Sequence, residues 1–150
     1  MRGLLILLAL TGPALAQTAP PHRGAPPPPL ALPAGMSPLP AGAYRLSFRS
    51  GETAVSPAAV AALNEIGRRL AAIPTGTGRI TVEGQASGPA NDVSAARRIA
   101  LARAQAVRAA LVAGGLDETR VDVRALGRTP QALDATDVLP PGAARAGATR

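Results

Sequence analysis

The spacing of hydrophobic and polar positions changes several times along this chain of 150 residues. Tyr44-Arg45-Leu46-Ser47-Phe48 alternates, which predicts a strand with Tyr44, Leu46 and Phe48 on one face. Ser50-Gly51-Glu52 breaks the alternation. Ser56-Pro57 then predicts a helix start, a hydroxyl cap followed by proline in the first turn. Val60, Leu63, Ile66, Leu70 and Ile73 recur at three- and four-residue steps and form one apolar stripe, which Pro74 and Gly76 end. Alternation returns over residues 79–83, with Ile80 and Val82 inward and Arg79, Thr81 and Glu83 outward. Residues 84–91 read as a loop. A longer helix is predicted from about Asp92 or Val93 to Ala113, stopped by Gly114-Gly115. Residues 120–126 predict a third strand, with Val121, Val123 and Ala125 on one face. Strand, helix, strand, helix, strand in that order predicts a two-layer sandwich, with both helices on one face of a small sheet. Its core is thin and rich in Ala.

The two ends of the chain read differently. Met1-Arg2 is a short positive start, residues 4–10 are apolar, and Ala14-Leu15-Ala16 fits a signal-peptidase site. The apolar run is too short to span a bilayer, which takes about 20 residues. Residues 1–16 are therefore expected to be a signal peptide, and the mature chain an exported protein starting at Gln17. No Cys follows the apolar run, so no lipid anchor of the bacterial lipoprotein kind is expected. No barrel-like strand pattern precedes the domain, so a porin is not expected either. Residues 17–43 hold 9 Pro in 27 positions. Proline lacks a donor and fixes φ, so this stretch is expected to be an extended linker, reaching ~80 Å at about 3.1 Å per residue. Residues 131–150 turn again to Ala, Gly, Pro and Arg and read as a disordered tail. The ordered domain is then expected over residues 44–130.

Composition removes several function classes. There is no Cys and no Trp, with one Tyr, one Phe and one His. A disulfide scaffold, a Cys-ligated zinc site, a c-type haem site and a cysteine nucleophile are excluded. Aromatic stacking of single-stranded nucleic acid is not expected. All 16 basic residues are Arg, against 9 acids, for a net charge of +7. That charge favours an anionic partner, and export argues against nucleic acid. The single His22 lies in the linker, so no Ser–His–Asp set forms inside the domain. Glu52, Glu65, Glu83, Asp92, Asp117, Glu118 and Asp122 show no spacing that suggests a metal site or a glycosidase pair. No enzyme activity, cofactor or metal is expected.

One residue breaks the pattern of the second helix. At about 100° per residue, Ala96, Ile99, Ala100, Val107, Ala110 and Leu111 share one face. Arg103 lies in the middle of it, while Arg97, Arg98 and Arg108 point elsewhere. A guanidinium on a core-facing stripe must be paired or reach a cleft, because leaving it dry and unpaired is costly. Either Arg103 snorkels past the core edge or pairs with a structural carboxylate, or it presents its planar fork to a carboxylate ligand. Periodicity does not choose between these.

Three separated blocks then resemble a known family. They are Ile80-Thr81-Val82-Glu83-Gly84, then Arg98-Ile99-Ala100-Leu101-Ala102-Arg103-Ala104-Gln105-Ala106-Val107, then Gly115-Leu116-Asp117-Glu118-Thr119-Arg120-Val121 with Ala125-Leu126-Gly127. In order and spacing they look like an OmpA-like C-terminal domain. That family has a strand ending in Gly-His-Thr-Asp, a helix carrying Leu-Ser-x-x-Arg-Ala-x-x-Val, then Gly-Ile and a last strand ending near Gly-x-Gly. The resemblance covers about residues 44–130. It implies an α+β β-α-β-α-β fold with a small mixed sheet and two helices on one face. It also implies periplasmic, outer-membrane-associated placement and non-covalent binding of peptidoglycan. In the family an Arg takes the carboxylate of the stem-peptide diaminopimelate and an Asp takes its ammonium. The family Arg falls on Arg103. Where the family has Gly-His-Thr-Asp this chain has Gly84-Gln85-Ala86-Ser87, so the Asp position is Ser87 or a near neighbour. A hydroxyl brings no charge, and losing a charge-assisted bond costs ~1.5–3 kcal/mol. Asp92 and Glu83 are the acids that stand nearest in sequence; their plainer roles are a helix-start acid and a solvent-facing strand acid.

The resemblance therefore implies a wall-binding module, with binding weakened, that uses Arg103, Ser87, Gln85 and Gly84. The competing expectation is a structural or protein-interaction module of the envelope that has lost the ligand and acts on an unidentified envelope protein. Its surface would be the Arg97, Arg98, Arg108 and Leu101 face, or the Pro-rich arm.

Overall fold

The computed structural model describes residues 29–74, 76 and 78–143. The expected signal peptide, His22, most of the expected linker and the last seven positions lie outside the described residues. In chain order the elements are β1 (Met36–Pro38), β2 (Tyr44–Ser47), α1 (Pro57–Ala71), β3 (Ile80–Gln85), α2 (Val93–Ala113), β4 (Val121–Gly127) and β5 (Ala135–Leu139). The strands form one sheet in the order β1-β2-β5-β3-β4. Only β3 and β4 run parallel; the other neighbours are antiparallel. The architecture is an α+β two-layer sandwich with a mixed sheet, and the strand-helix-strand-helix-strand core stands as read from the sequence.

Two strands correct the reading of the chain ends. β5 lies inside the segment expected to be a disordered tail, and it is the middle strand of the sheet. All five of its residues are buried. Composition hid it because its central residue is Asp137, which is burial-compatible only when a partner from elsewhere satisfies it. Arg45 does so for Asp137, with Nε and Nη2 each 2.7 Å from a carboxylate oxygen. Gln85 Nε2 adds a longer contact at 3.4 Å. β1 corrects the linker: Met36, Ser37 and Pro38 pair with Leu46, Arg45 and Tyr44. Proline is tolerated there because β1 is an edge strand, with no ladder donor needed on its outer side.

Side-chain alternation sorts the sheet into two faces. Leu46, Val82 and Val138 join Leu63, Ile66, Leu70, Val107 and Leu111 of the helices in the main core. Glu83, Arg45, Asp137 and Arg124 share one register row on the opposite face. Glu83 was expected to face solvent, yet it is only 3% exposed. Its Oε1 lies 3.8 Å from Arg124 Nη1.

The helices start where the local chemistry dictates. Ser56 Oγ accepts from Ala59 N, and Asp92 Oδ1 accepts from Ala95 N at 2.7 Å. α1 buries Ala59, Ala62, Leu63, Ile66, Gly67 and Leu70, a face rotated from the expected stripe so that Val60 and Ile73 are only half-buried. Close helix contact explains the rotation. A Cβ on Gly67 would lie 2.1 Å from Leu111 O, and one on Gly84 would lie 2.0 Å from Ala100 O. Small residues thus let α2 rest directly on α1 and on β3, which is how an Ala-rich core is filled without large side chains.

Candidate functional site

α2 buries Ala96, Ala100, Arg103, Ala104, Val107, Ala110 and Leu111. Arg103 therefore sits on the core face, as its position on the wheel requires, and it is 0% exposed. Its guanidinium is enclosed by backbone and one acid. Nε donates to Glu52 O at 2.6 Å, and Nη2 donates to Arg49 O at 2.9 Å. Nη1 donates to Gln85 O at 2.8 Å and to Asp134 Oδ1 at 2.7 Å. The Phe48 ring lies against it, with 4.8 Å from Cζ to the ring centroid. Arg103 is thus internally paired, with Asp134 as its counter-charge.

The elements explain this enclosure. β2 ends at Ser47, and the turn that follows brings the carbonyls of Arg49 and Glu52 over the helix. Gln85 is the last residue of β3, so its carbonyl points off the strand end. Asp134 immediately precedes β5 and is fixed by Phe48 N, which donates to Asp134 O at 2.8 Å.

The structure also brings Ser87, Gln85 and Gly84 beside Arg103. Ser87 N and Oγ donate to the two Asp134 oxygens, at 3.1 and 2.5 Å. Gln85 is 4% exposed, its amide engaged by Asp137 and Thr129. Gly84 is there because α2 passes too close for any side chain. Neither acid considered for the missing Asp reaches the site. Asp92 caps α2, and Glu83 faces away from the helices.

The acid beside Arg103 is Asp134, which the sequence reading missed because it placed residue 134 in a tail. The available signal was an acid directly ahead of the short run Ala135-Thr136-Asp137-Val138-Leu139. Nothing local marks that run as a central strand.

Asp134 is held below its ordinary pKa. Burial pushes the carboxyl up, but hydrogen bonds from the Ser87 hydroxyl and from Arg103, with the Arg103 charge, outweigh it. A carboxyl depressed in the folded state adds stability that is complete above its unfolded value, about 3.9. That stability is lost as pH falls through the lower folded value. Asp134→Asn is therefore expected to be less stable at neutral pH and to lose stability less steeply below about pH 4. Urea unfolding over a pH series checks this; identical slopes for both proteins would show that the pair does not titrate with folding.

A groove of about 520 Å³ lies next to this cage, lined by Gly35, Leu46, Phe48, Arg49, Glu52 and Val55 among others. It shares the roof of the cage but not Arg103. Among the described residues there is no group of three or more His, Cys, Asp or Glu able to hold a metal. No helix among them is long and apolar enough to cross a membrane.

A family model described as "OmpA family" matches residues 47–143, more than half of the chain. The chain belongs to the OmpA family. The match runs through Asp134 and β5, so the family segment includes the strand that the composition had concealed. Similar solved structures share the fold at low identity. This OmpA-family chain matches the peptidoglycan-associated lipoprotein of Burkholderia pseudomallei with a TM-score of 0.53 at 17% identity, over 63% of this chain and 86% of that one. It matches a periplasmic domain of MotB at 0.54 and 15%, over 64% and 60%. The Helicobacter pylori MotB periplasmic domain gives 0.53 and 13%, over 64% and 70%. The chain thus spans less than two thirds of the first of these MotB domains. Among curated proteins, no sequence matches.

Proposed function

We propose that this chain is an exported envelope module of the OmpA family that acts as a structural or protein-interaction domain and not as an enzyme. Its arginine site is filled from within. The observation that carries the reading is the state of Arg103, fully buried and hydrogen-bonded to three carbonyls and Asp134. The resemblance assigns that fork to the carboxylate of a stem peptide. Here the chain's own Asp134 carboxylate engages it, and Arg103 does not line the adjoining groove. A ligand carboxylate would have to compete with Asp134 for Arg103 and reach a guanidinium that is fully buried.

A second reading has one observation in its favour. The acid–arginine pair of the family persists, with its acid relocated from the loop to residue 134, whose side chain stays 16% exposed. That pair would support weakened peptidoglycan binding through Asp134, with Ser87 beside it. Sedimentation with purified sacculi separates the two readings. The first expects the full chain to stay in the supernatant. Retention that Asp134→Asn abolishes, with the circular dichroism spectrum unchanged, would overturn it in favour of the second.

A further inference from the structure

Most arginines of the described domain are already matched to an acid. Arg45, Arg49, Arg68, Arg69, Arg79, Arg103, Arg108 and Arg124 each have a carboxylate oxygen within 4.0 Å. Arg120 is buried. The exposed arginines with no such ion pair among the described residues are Arg97, Arg98 and Arg128, and all three gather at one end of the molecule. Arg128 Nη1 donates to the carbonyls of Ser87 and Gly88, in the loop under the first turns of α2. A Cβ on Gly127 would lie 3.3 Å from Arg97 Cα, so the end of β4 abuts the same turns.

The same end carries the exposed large hydrophobics of the described chain. Val93 is 64% exposed and Leu101 40%. Val93, Arg97 and Leu101 follow at four-residue steps and so line one face of α2. A shallow hollow of about 300 Å³ lies on this part of α2, lined by Ser94, Arg97, Arg98 and Leu101. Asp92, just ahead of the helix, has its carboxylate turned to the helix cap. Arg108, expected on this face from the sequence, drops out because it pairs with Glu118 at 3.3 Å.

We infer that this end of α2, with Arg128, is a docking surface for an acidic segment of a partner protein. The partner would place an apolar side chain in the hollow and carboxylates on the guanidinium forks. Charge complementarity argues for an acidic partner, since elsewhere on the domain the exposed arginines carry acids of their own. Planar forks recognise carboxylates in a fixed geometry, and a hollow of this size suits one side chain. A lipid surface is the weaker fit, because only Val93 and Leu101 are exposed large hydrophobics among the described residues, too small an apolar face to bury in a bilayer interface.

The inference rests on the interaction-module reading and gives it a surface. Its test is an NMR titration of the labelled full chain with a short synthetic peptide that alternates glutamate and leucine. A glutamine–leucine peptide and phosphatidylglycerol vesicles serve as the other arms. The expected result is amide shifts confined to the first turns of α2 and to the Arg128 loop. The dissociation constant should rise about tenfold or more for R97E/R98E and for the glutamine peptide. Shifts elsewhere, equal affinity of the two peptides, or perturbation of this face by vesicles alone would overturn it. The Arg103 reading is scored separately by sacculus sedimentation, so silence of both peptides there removes only this surface.

Discussion

A chain ended after Pro130 is expected to lose cooperative unfolding altogether. The deletion removes β5, which lies between β2 and β3 and hydrogen-bonds to both. Without it the sheet separates into the pairs β1-β2 and β3-β4, and two-stranded pairs are marginal in water. The buried side chains of Val138 and Leu139 leave with it, each worth ~1.5–3 kcal/mol. Asp137 and Asp134 leave too, which strips Arg45 and Arg103 of their acids. A small domain holds only about 5–15 kcal/mol in total, so these losses exceed what it can spare. Thermal circular dichroism of the full and shortened chains checks this. A sharp transition in the shortened chain within about 5 °C of the full one, a shift worth about 1 kcal/mol for a domain this size, would show that β5 is dispensable.

The second large effect is expected at Arg103. Replacing it with methionine keeps most of the apolar stem but removes every donor. The carbonyls of Arg49, Glu52 and Gln85 then lose a partner, and the Asp134 carboxylate keeps only Ser87. Breaking a buried pair from one side costs ~3–5 kcal/mol, because the remaining charge is left uncompensated. For a domain of this size that lowers the thermal midpoint by at least about 10 °C. Arg103→Lys keeps the charge but places its donors on a single nitrogen, which cannot span acceptors arranged around a planar fork. It should recover part of the loss. A methionine variant within about 1 kcal/mol of wild type would show that the buried pair adds no more stability than an apolar side chain of similar volume.

The two predictions meet at Asp134. It ties the start of β5 to Arg103, and Phe48 N, just past the end of β2, fixes its backbone. The residue that the family resemblance marks as a ligand fork is here the point where α2 is fastened to both halves of the sheet. The exposed arginines that lack an ion pair among the described residues, with Val93 and Leu101, lie towards the start of α2.

Local chemistry in the sequence determined the helix starts at Ser56 and Asp92, the stop at Gly114, three of the five strands and the inward position of Arg103. Each of these depends on residues within a turn or two of one another. β3 ran on to Gln85, beyond its expected end, because Gly84 and Gln85 pair with β4 and β5, and neighbours along the chain carry no trace of that pairing. Only the tertiary structure decided β1, β5 and the partner of Arg103. Asp137 is stable in a central strand because Arg45 lies opposite it, 92 positions away along the chain. Asp134 reaches Arg103 because β5 folds back between β2 and β3. Burying a charge is favourable only against a counter-charge supplied from elsewhere in the chain, so its fate is settled by topology and not by periodicity.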